Sequence, residues 1–293
     1  MRRLIPVLAV LTTLTLPSPA QAADTQRSLR FFGTGYDDVD RVKVRVANPS
    51  NRADVDRAFT IEWWMRGRRS ENPTGTVSCG MQVYGWTTGH TIVDRDRWPI
   101  LGPDGQDFGV AVDRNGRLAF GVQVGPSTPD AYTVCTSGVN VLDDRWHHVA
   151  VQRRTSGVLE IWVDGVKRGS ASGPPGSLKF PTGNPAHWSP NDPFLVLGAE
   201  KHDVGPSYPS YSGWLDEFRL STVVRYHSRF TPPRSEFRPD ANTALLFHFN
   251  RAVPSGTTCT TSVRDAAGTQ NGACRHGGPD MGPKFANTSP FRV

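Results

Sequence analysis

The sequence predicts an all-β protein, a two-sheet antiparallel sandwich with little helix. Three observations carry that expectation. Apolar residues recur with period two in short runs such as "RVKVRV" (41–46) and "FTIEWWM" (59–65), the alternation of strands with one face on a core. Tight turns separate the runs, and Asn115-Gly116 and Asp164-Gly165 are dipeptides that favour two-residue hairpins. Finally, 29 glycines and 24 prolines in 293 residues suit many turns between short strands, not a helical bundle.

The elements follow in order. Residues 1–22, "MRRLIPVLAVLTTLTLPSPAQA", place Arg2 and Arg3 before an apolar run that ends in the small residues Ala20 and Ala22. That is the pattern of a secretory signal peptide, too short for a membrane span. Residues 23–293 then read as one exported domain, extracellular or periplasmic, with no later run near the ~20 apolar residues of a membrane helix. Strands are expected at "LRFF" (29–32), at the two runs above, and at "HTIVD" (90–94), "DFGVAVD" (107–113) and "RLAFGVQV" (117–124). "WHHVAVQRR" (146–154), "GVLEIWVDGVKRGS" (157–170), "FLVLG" (194–198), "GWLDEFRLS" (213–221) and "TALLFHFN" (243–250) complete the set. The first and last of these are expected to pair and close the sandwich. "TVVRYHSRF" (222–230) has room for one or two helical turns, and the Pro/Gly-rich stretch 172–193 reads as a functional surface loop.

Four cysteines, Cys79, Cys135, Cys259 and Cys274, form an even count that implies two disulfides in an exported chain. Three connectivities are open; nearness in sequence favours Cys259–Cys274, which leaves Cys79–Cys135. The spacings lack the close C-x2-C pairs of a zinc site. The formal charge falls from +6 to +4 once Arg2 and Arg3 are removed. Basic residues are interleaved with acidic ones and form no patch or stripe, so nucleic acid is not an expected partner.

Several segments in order, among them "LRFFGTG", "DRVKV", "FTIEWWMR", "RWHHVAVQRR", "LEIWVDG", "FLVLGAE", "GWLDEFRLS" and "ALLFHFN", resemble one family. They are similar to bacterial laminin G-like (LamG) domains of the concanavalin A-like lectin/glucanase superfamily. The resemblance implies a jelly-roll sandwich with a curved concave face. It also implies a structural calcium ion at the sandwich edge, and glycan or protein binding through loops.

The chemistry of individual residues narrows this further. Laminarinase-type enzymes on this architecture carry acids two residues apart on one strand, which period two puts on the same side. Asp216 and Glu217 are adjacent and point to opposite faces of an ideal strand. Asp94 and Asp96 come nearest to the pattern, but Asp96 falls in the turn "DRDRWP". "RSEFR" (234–238) resembles a strand motif of jelly-roll alginate lyases, yet "TPP" before it and "PD" after it oppose a central strand. His147 and His148 read as ordinary strand residues, and no metalloprotease, serine-hydrolase or nucleotide-binding motif is present. No catalytic residue is assigned.

Calcium fits the chain better, because it takes six to eight oxygens, many of them from loops. "GTGYDDVDR" (33–41) offers Asp37, Asp38 and Asp40, and the family comparison adds Asp216 as a further metal ligand. In "LGAEKHDVGPSYPSYSGWLDEFRLS" (197–221), His202, Asp203, Tyr208, Tyr211 and Trp214 are the candidate ligand-binding residues. The flat amphipathic rings of Tyr208, Tyr211 and Trp214 suit stacking on sugars, His202 and Asp203 add directional hydrogen bonds, and Pro206 and Pro209 stiffen the loop. The bland alternative is that these aromatics cover the sandwich edge while Glu200 and Lys201 are solvated. The expected function is a secreted, non-catalytic binding module for a glycan or an extracellular protein. Two other classes compete: a polysaccharide-active hydrolase or lyase on the same fold, and a cell-surface structural or interaction protein without a small ligand.

Overall fold

A computed structural model of the chain describes residues 26–33, 40–46, 51–81, 84–96, 106–125, 128–180, 194–202, 205–275 and 282–291. The signal-peptide segment, Asp37, Asp38, Asp203 and most of the 172–193 loop lie outside the described residues. Within them are sixteen strands and no α-helix. These are β1 (Ser28–Phe32), β2 (Arg41–Arg45), β3 (Phe59–Gly67), β4 (His90–Arg95), β5 (Asp107–Val112), β6 (Leu118–Gln123), β7 (Ala131–Cys135) and β8 (His147–Arg153). There follow β9 (Val158–Val163), β10 (Val166–Ser172), β11 (Phe194–Leu197), β12 (Ser212–Ser221), β13 (Thr243–Phe247), β14 (Ser262–Val263), β15 (Gly272–Arg275) and β16 (Lys284–Ala286).

The strands form two antiparallel sheets of eight, the sandwich that the alternation predicts. The first runs β10-β9-β8-β3-β12-β1-β16, with β13 also on β12; the second runs β14-β15-β2-β11-β4-β5-β6-β7. Period two sends Phe59, Ile61, Trp63 and Met65 of β3 into the core, where none is exposed. They meet apolar residues of the second sheet, and the Phe59 and Phe108 rings lie 5.0 Å apart. Both turns form where they were expected, but Asp113 bonds Arg117 and leaves a three-residue loop at 114–116 in which Gly116 alone is left-handed, so only the second is a two-residue hairpin. Asp164 and Gly165 adopt φ of 50° and 75°, the left-handed pair that a type I′ turn requires. Both disulfides are present, Cys79–Cys135 and Cys259–Cys274.

Two expectations are corrected. β1 does not pair with the strand at 243–247; each pairs with β12, β1 at Ser212–Leu215 and β13 at Phe218–Ser221. The register of β12 against β3 slips between Asp216 and Arg219, and Glu217 has φ of 52°. One extra residue in a left-handed conformation makes a bulge, and it lies between the two stretches of β12 taken by β1 and β13. Residues 222–230 form no helix; Tyr226 and Phe230 stack with centroids 3.7 Å apart.

That stack is part of a cover. Phe230 lies 5.8 Å from Trp162 and 5.6 Å from His148, and Phe237 lies 5.9 Å from His148. The segment after β12 therefore roofs the outward face of the first sheet over β3, β8 and β9 and buries Glu62 and His148 completely. Arg219, His148 and Tyr226 all bond to the Glu62 carboxylate. Burial opposes its charge, but these partners outweigh it and hold Glu62 down at about 2. Over β5, β6 and β7 the outward face of the second sheet is roofed by the loop between β3 and β4, which Cys79–Cys135 ties to β7. Its Trp86 lies across Gly109 and Gly121, a directly paired couple on β5 and β6. No helix among the described residues is long and apolar enough to cross a membrane. The two disulfides fit an oxidising compartment.

Candidate functional site

A dense group of titratable side chains sits at one rim of the second sheet, under the edge of the Trp86 loop. β4 contributes Asp94, and Asp96 follows just beyond its end. By strand periodicity these two lie on the same, outward side. Chain continuing from β11 brings Glu200, Lys201 and His202 alongside. Asp94 is held on both oxygens, by Trp86 Nε1 at 3.3 Å and by the Lys201 backbone N–H at 3.1 Å. Tyr84 donates to Asp107 at 3.3 Å on the neighbouring strand. His202 Nδ1 lies 3.1 Å from Asp96 and 3.6 Å from Glu200, while its backbone N–H bonds Glu200 at 2.8 Å. Lys201 Nζ donates to the Phe194 carbonyl at 3.1 Å and stands 4.0 Å from Asp96.

The electrostatics divide the two aspartates. Burial, followed by the charges of Asp96 and Glu200, pushes the Asp94 carboxyl well up. Burial also acts against ionised Asp96, but His202 and Lys201 outweigh it and keep its carboxyl low. Asp96, Glu200 and His202 each offer a ligand atom, and these atoms all lie within 4.8 Å of one another. Two carboxylates and an imidazole suit a divalent ion that accepts mixed oxygen and nitrogen donors. Calcium would need further oxygens from backbone or water to reach its usual number.

The candidate ligand-binding residues separate. His202 joins the rim cluster. Tyr208 is half-buried in a small turn bonded to Gly205. Tyr211 is fully buried and its hydroxyl donates to the Arg66 carbonyl at 2.9 Å, so it packs in the core and shows no ring face to solvent. Trp214 lies three residues on, and odd spacing along a strand puts it on the opposite, outward face. There the Arg30 guanidinium covers its ring at 4.4 Å, with Arg66 and Arg68 each at 5.2 Å. The three rings do not form one stacking surface.

The metal-ligand candidates also fall apart. Asp40 is buried and accepts the Phe32 backbone N–H at 3.1 Å. Phe32 pairs with Ser212, four residues along β12 from Asp216, a separation of roughly 13 Å at strand rise. Asp216 instead faces Ser289 and Glu236 on the first sheet. Asp40 and Asp216 are not brought to one ion. Glu200 and Lys201, solvated in the alternative reading, are 2% and 1% exposed. The signal that could have found them was already in the sequence: a D-x-D at the end of one strand, and E-K-H at the end of another that is apolar throughout.

The laminin G family model of the concanavalin A-like lectin/glucanases superfamily matches residues 40–228. The chain belongs to this laminin G family. No curated protein sequence matches it. Among solved structures it is similar to a candidate carbohydrate-binding protein from Bacteroides ovatus, at 14% identity and TM-score 0.47 over 85% of this chain and 58% of that one. It is also similar to domains LG4-5 of the mouse laminin alpha1 chain, at 16% identity and TM-score 0.42 over 67% of this chain and 41% of that one. The binding domain of botulinum neurotoxin serotype D gives 12% identity and TM-score 0.40 over 67% and 40%. The chain thus spans 40–58% of the length of these three structures. The rim cluster lies inside the laminin G match, whereas β13, β14, β15 and β16 lie beyond it.

Proposed function

We propose that this laminin G chain is an exported, non-catalytic binding module that recognises a glycan or an extracellular protein through its rim loops, with a divalent cation, calcium first, bracing the rim. The observation that carries this reading is the covering of part of both outward sheet faces, over β3, β8 and β9 on the first and over β5 and β6 on the second. Trp86 lies on the second sheet and the Tyr226–Phe230 stack on the first. A retaining polysaccharide-cleaving enzyme on a sandwich works in an open groove, with two carboxyls roughly 5–5.5 Å apart across the scissile bond. Here the paired acids Asp94 and Asp96 lie at a covered edge, with Asp94 tied to Trp86. The polar surface also argues against a purely apolar docking module, because Met81, at 66%, is the exposed large hydrophobic side chain among the described residues.

The cation reading moves from Asp40 and Asp216 to Asp96, Glu200 and His202, whose donor atoms already converge. The test is a glycan and polysaccharide array with the chain from Ala23 onward, run in calcium, in zinc and in chelator. Binding that is lost in chelator, and in Glu200→Gln at unchanged Tm, supports the reading. Binding that survives chelation strips the cation of its role. No binding to any glycan in any buffer defeats the glycan half and leaves a protein partner.

A further inference from the structure

The family match ends at residue 228, and the chain beyond it builds a feature of its own. A cleft of about 950 Å3 opens between the segment that follows β13 (His248 to Arg251) and the β14–β15 hairpin. The hairpin wall is pinned by Cys259–Cys274. Its turn is organised by Asp265, whose two oxygens accept the backbone N–H groups of Leu246, Ala267, Thr269 and Gln270 at 2.8–3.0 Å.

The acceptors in this wall are mostly engaged, and the donors are not. Asp265 is saturated by those four bonds. Glu236 receives the amides of Gln26 and Asn250 on one oxygen, which leaves its other oxygen as the one carboxylate atom open to a ligand. His248 Nδ1 bonds the buried Glu217 carboxylate at 2.6 Å, and Glu217 in turn accepts the Phe237 N–H at 2.6 Å. A carboxylate partner requires hydrogen on Nδ1. Burial disfavours the charged ring, but Glu217 outweighs it and raises the His248 pKa, so Nε2 also carries a proton as the imidazolium forms. Asn271 uses its oxygen on the Asp265 N–H at 3.0 Å, which keeps its amide nitrogen available. The exposed Arg264 makes no side-chain bond to any described residue, and the exposed Arg251 lies over the Phe285 ring at 5.6 Å.

We propose that this cleft binds a glycan carrying an oxyanion, either a uronate carboxylate or a sulfate ester, with Arg264, Arg251 and His248 Nε2 on the anionic group and Asn271 on a neighbouring hydroxyl. Planar guanidinium forks match such oxyanions in two parallel hydrogen bonds. The proposal rests on the function proposed above only in that the chain binds glycan; it assigns an acidic class of glycan to a second place, apart from the rim. It also predicts binding that weakens with salt.

The experiment is a calorimetric titration of the whole mature chain with three oligosaccharide probes: a neutral glucan, a polyuronate and a sulfated galactan. The expected result is tighter binding of one or both acidic probes by at least tenfold over the glucan. Arg264→Glu and Arg251→Glu, both exposed, should each reduce acidic-probe affinity at least tenfold at unchanged Tm. Which acidic probe responds tells uronate from sulfate. Equal binding of neutral and acidic probes, or unchanged acidic-probe affinity in Arg264→Glu, overturns the cleft. Glycan binding that responds to Glu200→Gln but not to Arg264→Glu keeps the rim reading and overturns this one. No binding of any glycan overturns this proposal and the glycan half of the rim reading, and leaves the rim a protein partner.

Discussion

Asp216 shows how much a single residue's role depends on neighbours that are distant in sequence. Burial, with Glu217 and Glu236 nearby, pushes its carboxyl well above the ordinary range of about 3.9. Such a group stabilises the fold while it holds its proton, at low pH, and that contribution is lost as pH rises past the unfolded value. Asp216→Asn, which keeps the shape and cannot ionise, should therefore gain on the parent as pH rises from about 4 to 8. Urea midpoints across that range check this, and a difference that stays flat with pH removes the explanation. Glu62 has the opposite sign. Its folded pKa is depressed to about 2, so its contribution is present above about 4.3 and is lost as pH falls toward the folded value. Part of this was legible: odd spacing already places Tyr211 and Trp214 on opposite faces of a strand. That Tyr211 took the inner face was not, because either face of an isolated strand can be the buried one.

Elements were read well where periodicity is strong and poorly where a covering segment decides. β3, β5, β8 and β12 lie where alternation puts them. β7 was missed because "AYTVC" is short, and its pairing with β6 and its disulfide to Cys79 define it as a strand. The roofing loop was invisible because its reason lies in two glycines of other strands. A Cβ at Gly109 would sit 2.0 Å from Trp86 Nε1, and one at Gly121 would sit 1.9 Å from Trp86 Cε3. Gly121→Ala should thus lift Trp86 and cost about 1–3 kcal/mol. In a Trp86→Ala background the same change should cost much less. A double-mutant cycle on thermal unfolding measures the coupling, expected above about 1 kcal/mol; additive losses would show that the indole does not rest on these glycines.

For the whole molecule, the two disulfides act on different parts. Cys79–Cys135 closes 56 residues and fastens the roof of the second sheet; Cys259–Cys274 closes 15 and holds the wall of the C-terminal cleft. Loop-closure entropy gives about 4 kcal/mol for the first and about 3 for the second. Paired Cys→Ser variants should lower Tm in that order, each by about 5–15 °C for a chain of this size. Scanning calorimetry decides it. If the Cys259/Cys274 pair proves costlier, native-state packing around that bridge outweighs chain entropy.

The sequence by itself determined what depends on local pattern: an all-β sandwich, its two tight turns, the even cysteine count and the laminin G resemblance. These follow from side-chain alternation, left-handed turn residues and the order of short motifs, and each is legible within a few residues. The tertiary structure decided what depends on convergence. It separated Asp40 from Asp216, put Tyr211 in the core, and joined Asp96 to Glu200 and His202 across more than a hundred residues of chain. It also laid one tryptophan over two paired glycines and assembled a donor-rich cleft from segments outside the family match. Hydrogen bonding and ion pairing act over a few ångströms, so a site exists only once sheet register has brought its residues that close.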